Sequence, residues 1–258
     1  MSNNDFRDNR NFVSSFARGL AVIEAFDAEH GRLTLAEVAE RTGLDRAVAR
    51  RLLLTLVQLG LARVNGRNYV LTAEVLKLGY SFQSAYGLGA ALKRPLDALS
   101  RRLSEPVSVS VLSGSDITVL ARSNAAERHL APTNDVGTKL PILVSASGRL
   151  LFSQFDDQEI STRLQNLSFR RYTERTIVDV DAYFDTINRV RADGYAVLDR
   201  ELDENLISMS VPLVDKSGYI IATLNASTQP SRNTLREVVE NIIPILKESA
   251  QSMSAAFP

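Results

Sequence analysis

The sequence predicts an α+β protein: three short helices and a β-hairpin first, then an antiparallel sheet with flanking helices. Three observations lead there. Between Val13 and Leu59 apolar residues recur at helical spacing, punctuated by helix caps and glycines. Asn65-Gly66 stands between two short strand-forming runs, a strong hairpin signal. From Val107 onward the pattern changes to alternation, as in Val107-Ser-Val-Ser-Val111, and strand-like runs are paired by tight turns.

Taken in order, residues 1–11 are polar and charged and are expected to lack structure. A first helix is expected from Val13 to Ala28, with Phe16, Leu20, Ile23 and Phe26 as its apolar stripe and Gly31 just past its end. A second opens at Thr34-Leu-Ala-Glu37, a capping box in which the Thr34 hydroxyl accepts from the Glu37 amide and the Glu37 side chain reaches back. Leu35, Val38 and Ala39 face inward, and Thr42-Gly43-Leu44 breaks the helix. Asp45 caps a third helix, Arg46 to Leu59, whose Val48, Leu52, Leu56 and Leu59 repeat at helical spacing. Strands Leu61–Val64 and Tyr69–Leu71 flank the turn, and the whole describes a winged helix-turn-helix.

From Thr72 to Leu103 a second helical stripe runs through Val75, Leu78 and Phe82 and then Leu88, Leu92, Leu96, Leu99 and Leu103. Gly87, Gly89 and Pro95 predict a break or kink within it. Dimer seam and packing onto the next domain both remain open for this stripe. Beyond it the patterns predict strands at Val107–Val111, Ile117–Ala121, Ile207–Val214 and Tyr219–Ala226. Helices are expected at Ser145–Phe155, Asp156–Asn166, Asp179–Asp193 and Thr234–Ser254. The domains expected are 1–11 without structure, 12–74 as the winged helix-turn-helix, 75–90 as a helical linker and 91–258 as a sensing domain.

The chain of 258 residues contains no cysteine, which excludes disulfides, thiolate metal sites and cysteine nucleophiles. No signal-peptide core and no apolar run of membrane-spanning length appears, so a cytoplasmic location is expected. With two histidines, His30 and His129, and no G-x-S-x-G, H-E-x-x-H, P-loop or G-x-G-x-x-G pattern, neither catalytic residues nor a cofactor is expected. His30 reads as a helix-end cap, and His129 with nearby acids lacks metal-ligand spacing. Glu201, Asp203 and Glu204 cluster on what reads as an exposed loop.

Net charge is zero, but its distribution is uneven. From Arg41 to Arg67 stand Arg41, Arg46, Arg50, Arg51, Arg63 and Arg67, with Asp45 the lone acid. A neutral protein with one basic patch can bind DNA, because phosphates respond to the nearby field. In a helix-turn-helix the second helix of the motif enters the major groove with its N-terminal residues near base edges. Here Arg46 and Arg50 share a face and are expected to take guanine edges, Ala47 lets the backbone approach, and Arg51 suits either a phosphate contact or an internal salt bridge. Thr34, at a helix N-terminus, suits a phosphate, and Arg67 at the wing tip suits the minor groove or backbone. For each arginine singly, a solvated helix face is the alternative.

Four stretches carry a resemblance to a known family. They are Phe16-Ala-Arg-Gly-Leu-Ala-Val-Ile-Glu24; Leu35-Ala-Glu-Val-Ala-Glu-Arg-Thr-Gly-Leu44 with Arg50-Arg-Leu-Leu53; Val136-Gly-Thr-Lys-Leu-Pro141 with Ser145-Ala-Ser-Gly-Arg149; and Gly194-Tyr-Ala-Val197 through Glu201-Leu-Asp-Glu204 to Pro212 and Asn225-Ala-Ser227. Over nearly its whole length the chain resembles the IclR family of bacterial regulators. Within it the likeness is to the branch (PcaR, PcaU and PobR) that controls aromatic acid catabolism through protocatechuate and β-ketoadipate. Asn205 stands where that family usually has glycine; asparagine also tolerates a left-handed backbone.

The resemblance implies a GAF-like domain over 91–258 that binds a small carboxylate. The aligned pocket positions are His129, Ser145, Ala146, Ser147, Ser208, Asn225 and Ser227. Ser145 and Ser147 begin a helix, where hydroxyls and amides hold an anion, and Asn225 and Ser227 share one strand face. Arg122 and Arg128 are candidates for pairing the carboxylate, with a surface ion pair as the alternative for each. The expected partners are operator DNA, an aromatic acid effector and further copies of the chain as a homodimer or dimer of dimers, acting as an activator. The alternatives are a repressor sensing an aliphatic acid such as pyruvate or glyoxylate, and an enzyme fused to a DNA-binding head.

Overall fold

The computed structural model describes residues 12–27, 29–79, 88–123 and 135–254. The unstructured N-terminus expected at 1–11, and Phe82 and Gly87 of the connecting segment, lie outside the described residues. The chain divides into two compact units, Met1–Phe82 and Gln83–Pro258.

The first unit contains helix α1 (Ser14–Glu24), strand β1 (Leu33–Thr34), helices α2 (Leu35–Thr42) and α3 (Arg46–Gln58), and the hairpin β2 (Ala62–Asn65) and β3 (Asn68–Leu71). The three strands form one antiparallel sheet in the order β1-β3-β2. The Thr34/Glu37 capping box opens α2, Gly43 closes it in the left-handed region at φ 66°, and the Asp45 carboxylate caps α3 by accepting from the Val48 amide. A small core of Val22, Ala25, Leu33, Val38, Ala39, Ala49, Leu53, Leu56 and Ala62 holds the elements together.

Two helix faces differ from expectation. On α1 the buried residue is Val22, whereas Phe16 is 68% and Leu20 39% exposed. The helix carries apolar side chains on two adjacent sides, and the small core accommodates only one of them. On α3 the buried line is Ala49, Leu53 and Leu56; Val48 and Leu52 flank it, and Leu59 is exposed. Ala49 sits where α2 crosses closely, and a small side chain there reads weakly in a periodicity count. In the hairpin, Asn65 pairs with Asn68, so the two-residue turn is Gly66-Arg67 rather than Asn65-Gly66. Gly66 takes φ 63° at the first turn position, as a type II′ turn requires.

The second unit is built on six antiparallel strands: β4 (Val107–Ser113), β5 (Asp116–Arg122), β6 (Lys139–Pro141), β7 (Ala196–Asp199), β8 (Ile207–Val214) and β9 (Ile220–Thr228). Their order is β6-β5-β4-β9-β8-β7. One face is apolar. Val107, Val109, Met209, Val211, Leu224 and Ala226 pack under helix α4 (Leu88–Leu103), through Leu92, Leu96 and Leu99, and under the C-terminal helix, through Ile243, Leu246, Ala250 and Met253. Each such buried side chain contributes about 1.5–3 kcal/mol of transfer free energy. Leu92, Leu96 and Leu99 of the connecting stripe thus pack onto their own domain, while Leu78 is exposed. Helix α4 is not broken at Pro95, one of the residues for which a break or kink was expected; Pro95 lies on the exposed side.

The opposite face carries helices α5 (Ala146–Phe152), α6 (Asp157–Leu164) and α7 (Val180–Asp193) over a second core of Ile117, Ile142, Leu143, Leu151, Phe152, Ile160, Tyr183 and Ile187. Asp156 and Asp179 cap α6 and α7 as N-terminal acceptors. The helix expected at Thr234–Ser254 is interrupted. A Thr234/Glu237 capping box opens α8 (Leu235–Glu237), a π-turn follows at Val238–Ile242, and α9 (Ile243–Ser254) completes it. Pro244 sits just after the wide turn; its ring would collide with the carbonyl four residues earlier in a regular helix, and the extra residue relieves this. The buried Glu105 carboxylate ties the start of β4 to the end of β9, accepting from Thr228 Oγ1 at 2.8 Å and Arg232 Nε at 2.9 Å.

The backbone amide and then the hydroxyl of Thr34 hold the Glu37 carboxyl below its ordinary value of 4.5, and Thr234 does the same for Glu237. A depressed folded-state value means stability that is fully present above about pH 4.5 and lost as the pH falls through the lowered value. Wild type should therefore be more stable than Glu37→Gln at neutral pH, and the two denaturation midpoints should converge on acidification below 4.5. A gap that stays constant down to pH 3 would contradict this account of the cap.

Candidate nucleic-acid interface and effector site

On α3 Ala49, Leu53 and Leu56 are buried, and Arg46, Ala47, Arg50 and Arg51 are all exposed. Neither the guanidinium groups of these three arginines nor that of Arg67, at the exposed hairpin tip, forms a hydrogen bond or ion pair with any described residue. Arg41 differs. Its guanidinium donates to the Ala25 carbonyl at 2.8 Å and to Asp27 Oδ2 at 2.5 Å, so it staples α2 to the end of α1 and leaves the basic patch. His30 also turns to Asp27, through Nδ1 at 2.8 Å, which lowers the Asp27 pKa chiefly by that hydrogen bond. Thr34 is committed as well: its hydroxyl donates to Glu37 Oε2 at 2.8 Å and accepts the Glu37 amide at 3.3 Å. With the capping box closed, Thr34 has no hydroxyl donor to offer a phosphate, and the Glu37 charge already occupies that helix end.

The second site follows from strand register. Residues directly opposite in neighbouring strands share a face. Ser108 lies opposite Arg122 in β5 and Asn225 in β9, and Asn225 lies opposite Ser210 in β8. Ser110 faces Thr223, and Ser208 faces Ser227. The face that looks toward α5 therefore carries a stripe of hydroxyls across three strands. At its centre the Asn225 amide donates to Ser110 Oγ at 2.9 Å and Ser108 Oγ at 3.4 Å. Its carbonyl oxygen accepts from Ser147 Oγ at 2.7 Å and also from Ser210. Ser147 reaches down from α5, whose N-cap Ser145 spends its hydroxyl on the Gly148 amide at 3.3 Å. Ala146 is buried beside it, against Leu150, Ala196 and Leu198.

A polar Asn225 within an otherwise apolar strand requires a partner, and its side-chain partners are these four serines. By contrast, Ser208 and Ser227 make no side-chain hydrogen bond with a described residue and are only half-buried. Arg122 stands at the β5 end of the same row and pairs with Asp135. Arg128 and His129 lie outside the described residues. The sequence reading missed Ser108, Ser110, Ser210 and Thr223. Alternation was read as a half-buried strand, but Ser110 and Ser210 are 1% and 0% exposed. The available signal was serine at alternate positions in more than one strand.

Behind α5 lies a buried ion pair. Arg149 is bidentate to Glu201, with Nη1 to Oε1 at 2.7 Å, and it packs over the Tyr183 ring at 5.4 Å. Glu201 is thus not on an exposed acidic loop: it is buried, and its carbonyl accepts from Thr176 Oγ1 at 2.7 Å. Burial pushes the Tyr183 hydroxyl well above its ordinary pKa. The left-handed residue in this loop is Arg200, at φ 58°, rather than Asn205. Gly148 is required where it stands, because a Cβ there would fall 2.0 Å from the Ile142 carbonyl oxygen. Among the described residues no cluster of three or more potential metal ligands occurs, and no helix is long and apolar enough to cross a membrane.

Removing one partner of a desolvated pair leaves a stranded charge. Glu201→Ala should cost about 3–5 kcal/mol in chemical denaturation, whereas the apolar double replacement Arg149→Met with Glu201→Leu should recover most of it. A loss below about 1 kcal/mol for the single variant would mean that the pair is open to water.

Comparison with known proteins places both units. Residues 15–66 match the IclR helix-turn-helix domain, and residues 83–255 match the bacterial transcriptional regulator IclR C-terminal domain. The Pca regulon regulatory protein of Pseudomonas putida is 38% identical over 248 residues, covering 96% of this chain and 85% of that protein. The p-hydroxybenzoate hydroxylase transcriptional activator of Acinetobacter baylyi is 29% identical over 246 residues, covering 94% of this chain and 91% of its own length. Among solved structures, a putative transcriptional regulator from Rhodococcus sp. RHA1 superposes with a TM-score of 0.84 at 40% identity, covering 95% of this chain and 98% of the other. With a helix-turn-helix head whose arginines face outward and a sensing domain matched along most of its length, this chain belongs to the IclR family of bacterial transcriptional regulators.

Proposed function

We propose that this protein regulates genes of aromatic acid catabolism by binding operator DNA through α3 and the hairpin tip, and that an aromatic carboxylate bound over the serine stripe controls it. The observation that carries the DNA half is the exposed Arg46, Arg50 and Arg51, which have no protein counter-charge among the described residues. Arg46 and Arg50 suit guanine edges, Ala47 leaves room for close approach, and Arg51 and Arg67 suit phosphates. The effector half rests on the stripe and on the names of the relatives, a Pca regulon regulator and a p-hydroxybenzoate hydroxylase activator.

The protein acts as a homodimer or dimer of dimers in this reading, which brings two heads to two half-sites. The exposed Val13, Phe16 and Leu20 of α1, at 63%, 68% and 39%, offer a second copy an apolar surface. Activation is the expected output, in the cytoplasm where the operator lies. The chain is read as a sensor without catalytic residues, cofactor or metal.

Two measurements test this. Using a duplex selected from random DNA by the protein itself, Arg50→Ala should weaken binding by about 1–3 kcal/mol, while Arg41→Ala should lower thermal stability with little change in affinity. Equal affinity for Arg50→Ala and wild type would remove Arg50 from base reading. In a thermal-shift panel, protocatechuate or 4-hydroxybenzoate should raise the midpoint with concentration, by the equivalent of about 2.7 kcal/mol at a hundred times Kd. A response confined to pyruvate or glyoxylate would replace the aromatic reading with the aliphatic one, and turnover of any acid would favour an enzyme.

A further inference from the structure

The serine stripe is electrically neutral apart from one end. Ser108, Ser110, Ser208, Ser210, Thr223, Asn225 and Ser227 carry no charge, and the Arg149 guanidinium is held by Glu201. Among the described residues, Arg122 is the one charged side chain that strand register places on this face. Among the described residues its one ion-pair partner is Asp135, and the two side chains are 35% and 69% exposed.

We propose that Asp135 is a built-in surrogate for the effector's carboxylate, holding Arg122 beside the stripe until the acid group of the ligand takes its place. This rests on the effector reading above and deepens it. Three arguments support the exchange. An ion pair this exposed is worth only about 0–1 kcal/mol, so little opposes its replacement. A carboxylate held against the stripe sits in a drier environment than Asp135 and can meet the planar guanidinium with both oxygens. Asp135 also keeps Arg122 from standing as an uncompensated cation beside half-buried serines.

The arrangement sets the orientation of the ligand. Neighbouring strands lie about 4.8 Å apart, so the Arg122 and Ser210 backbones, three strand spacings apart, are separated by about 14 Å. Ser147 of α5 covers Asn225 and Ser210 in that row, so a single-ring acid held by the Arg122 fork extends beside it, toward the Ser208 and Ser227 row. The acid group then lies at β5, and the far end of the ring lies over β9 and β8, where the Ser208 and Ser227 hydroxyls have no side-chain partner among the described residues. The ligand class this fits is a monocyclic aromatic acid with a hydroxyl on the side of the ring remote from the carboxylate. Asp135 thereby becomes a specificity residue: it sets the threshold for acids and leaves neutral analogues unaffected.

The test is calorimetric titration of the full chain with 4-hydroxybenzoate, protocatechuate and the neutral analogue 4-hydroxybenzamide. Asp135→Asn is nearly isosteric and should bind both acids about two- to five-fold more tightly than wild type, the range an exposed ion pair can supply. Its affinity for the amide should not change. Arg122→Gln should weaken acid binding by about ten-fold or more, and Asp135→Asn added to it should bring no further gain, the signature of a coupled pair. Arg122→Lys, which keeps the charge and loses the fork, should fall between, and unfolding midpoints without ligand establish that each variant is folded. If the acids bind wild type but Asp135→Asn shifts acid and amide alike, or Arg122→Gln binds acids as wild type does, the surrogate is refuted while the effector reading stands. If neither wild type nor Asp135→Asn binds either aromatic acid, the effector reading itself falls and takes the surrogate with it.

Discussion

The second unit depends on the way one amide makes a polar stripe compatible with burial. Hydroxyls with no partner in a sheet face cost free energy, typically about 1–3 kcal/mol each. The Asn225 side chain has two donors and an acceptor oxygen with room for two, and here all of that capacity goes to Ser108, Ser110, Ser147 and Ser210. Four hydroxyls from three elements are thereby satisfied around one group. Because Ser147 belongs to α5, the same hub fixes that helix above the sheet. Asn225 thus serves as a structural spoke of the site, and the hydroxyls left over at Ser208 and Ser227 are those available to something else.

The two faces of the sheet divide the labour. Toward α4 and α9 the central strands present Val107, Val109, Met209, Val211, Leu224 and Ala226, all buried. Toward α5 the central strands are polar, and the aliphatic contacts are displaced to the margins, with Ile117 and Ile142 on one side and Ala196 and Leu198 on the other. Such a margin holds poorly by itself, and two charged clamps reinforce it. Glu105 closes the β4–β9 end, and Arg149–Glu201 anchors the far side of α5 to the loop after β7. Arg149–Glu201 is buried and bidentate, whereas Glu105 is buried but its partner Arg232 is 30% exposed; paired geometry of this kind offsets part of the desolvation cost. The site is therefore a soft polar centre within a stiff frame.

What the sequence made legible is what local chemistry decides. The capping box at Thr34 and Glu37, the acceptors Asp45, Asp156 and Asp179, and the glycine stops at Gly43 and Gly194 mark helix ends within a few residues, because each acts on its own neighbours. Alternation in Val107–Val111 and the turn at Asp215–Gly218 likewise announce strands. Contacts between distant residues were not legible. Arg41 looked like part of a basic patch until Asp27, fourteen positions away, claimed it. Glu201 looked solvated until Arg149, fifty-two positions away, buried it. Strands β1, β6 and β7 are too short to carry a pattern, and Phe16 on α1 gave an apolar signal that the small core could not absorb. At the candidate effector site, Ser147 and Asn225 were reachable by resemblance, while their partners Ser110 and Ser210 emerged only once register placed them side by side.

The uncompensated arginines of α3 have a consequence beyond recognition. Charges without a protein partner are neutralised in the free head by mobile ions, and the duplex carries its own condensed cations. Docking expels that atmosphere, and each phosphate neutralised contributes about −0.9 to the logarithmic dependence of affinity on salt. On the proposed reading, a head held by several guanidinium groups loosens steeply as the salt concentration rises. Operator occupancy would then report two inputs at once, the acid at the serine face and the ionic strength at the operator.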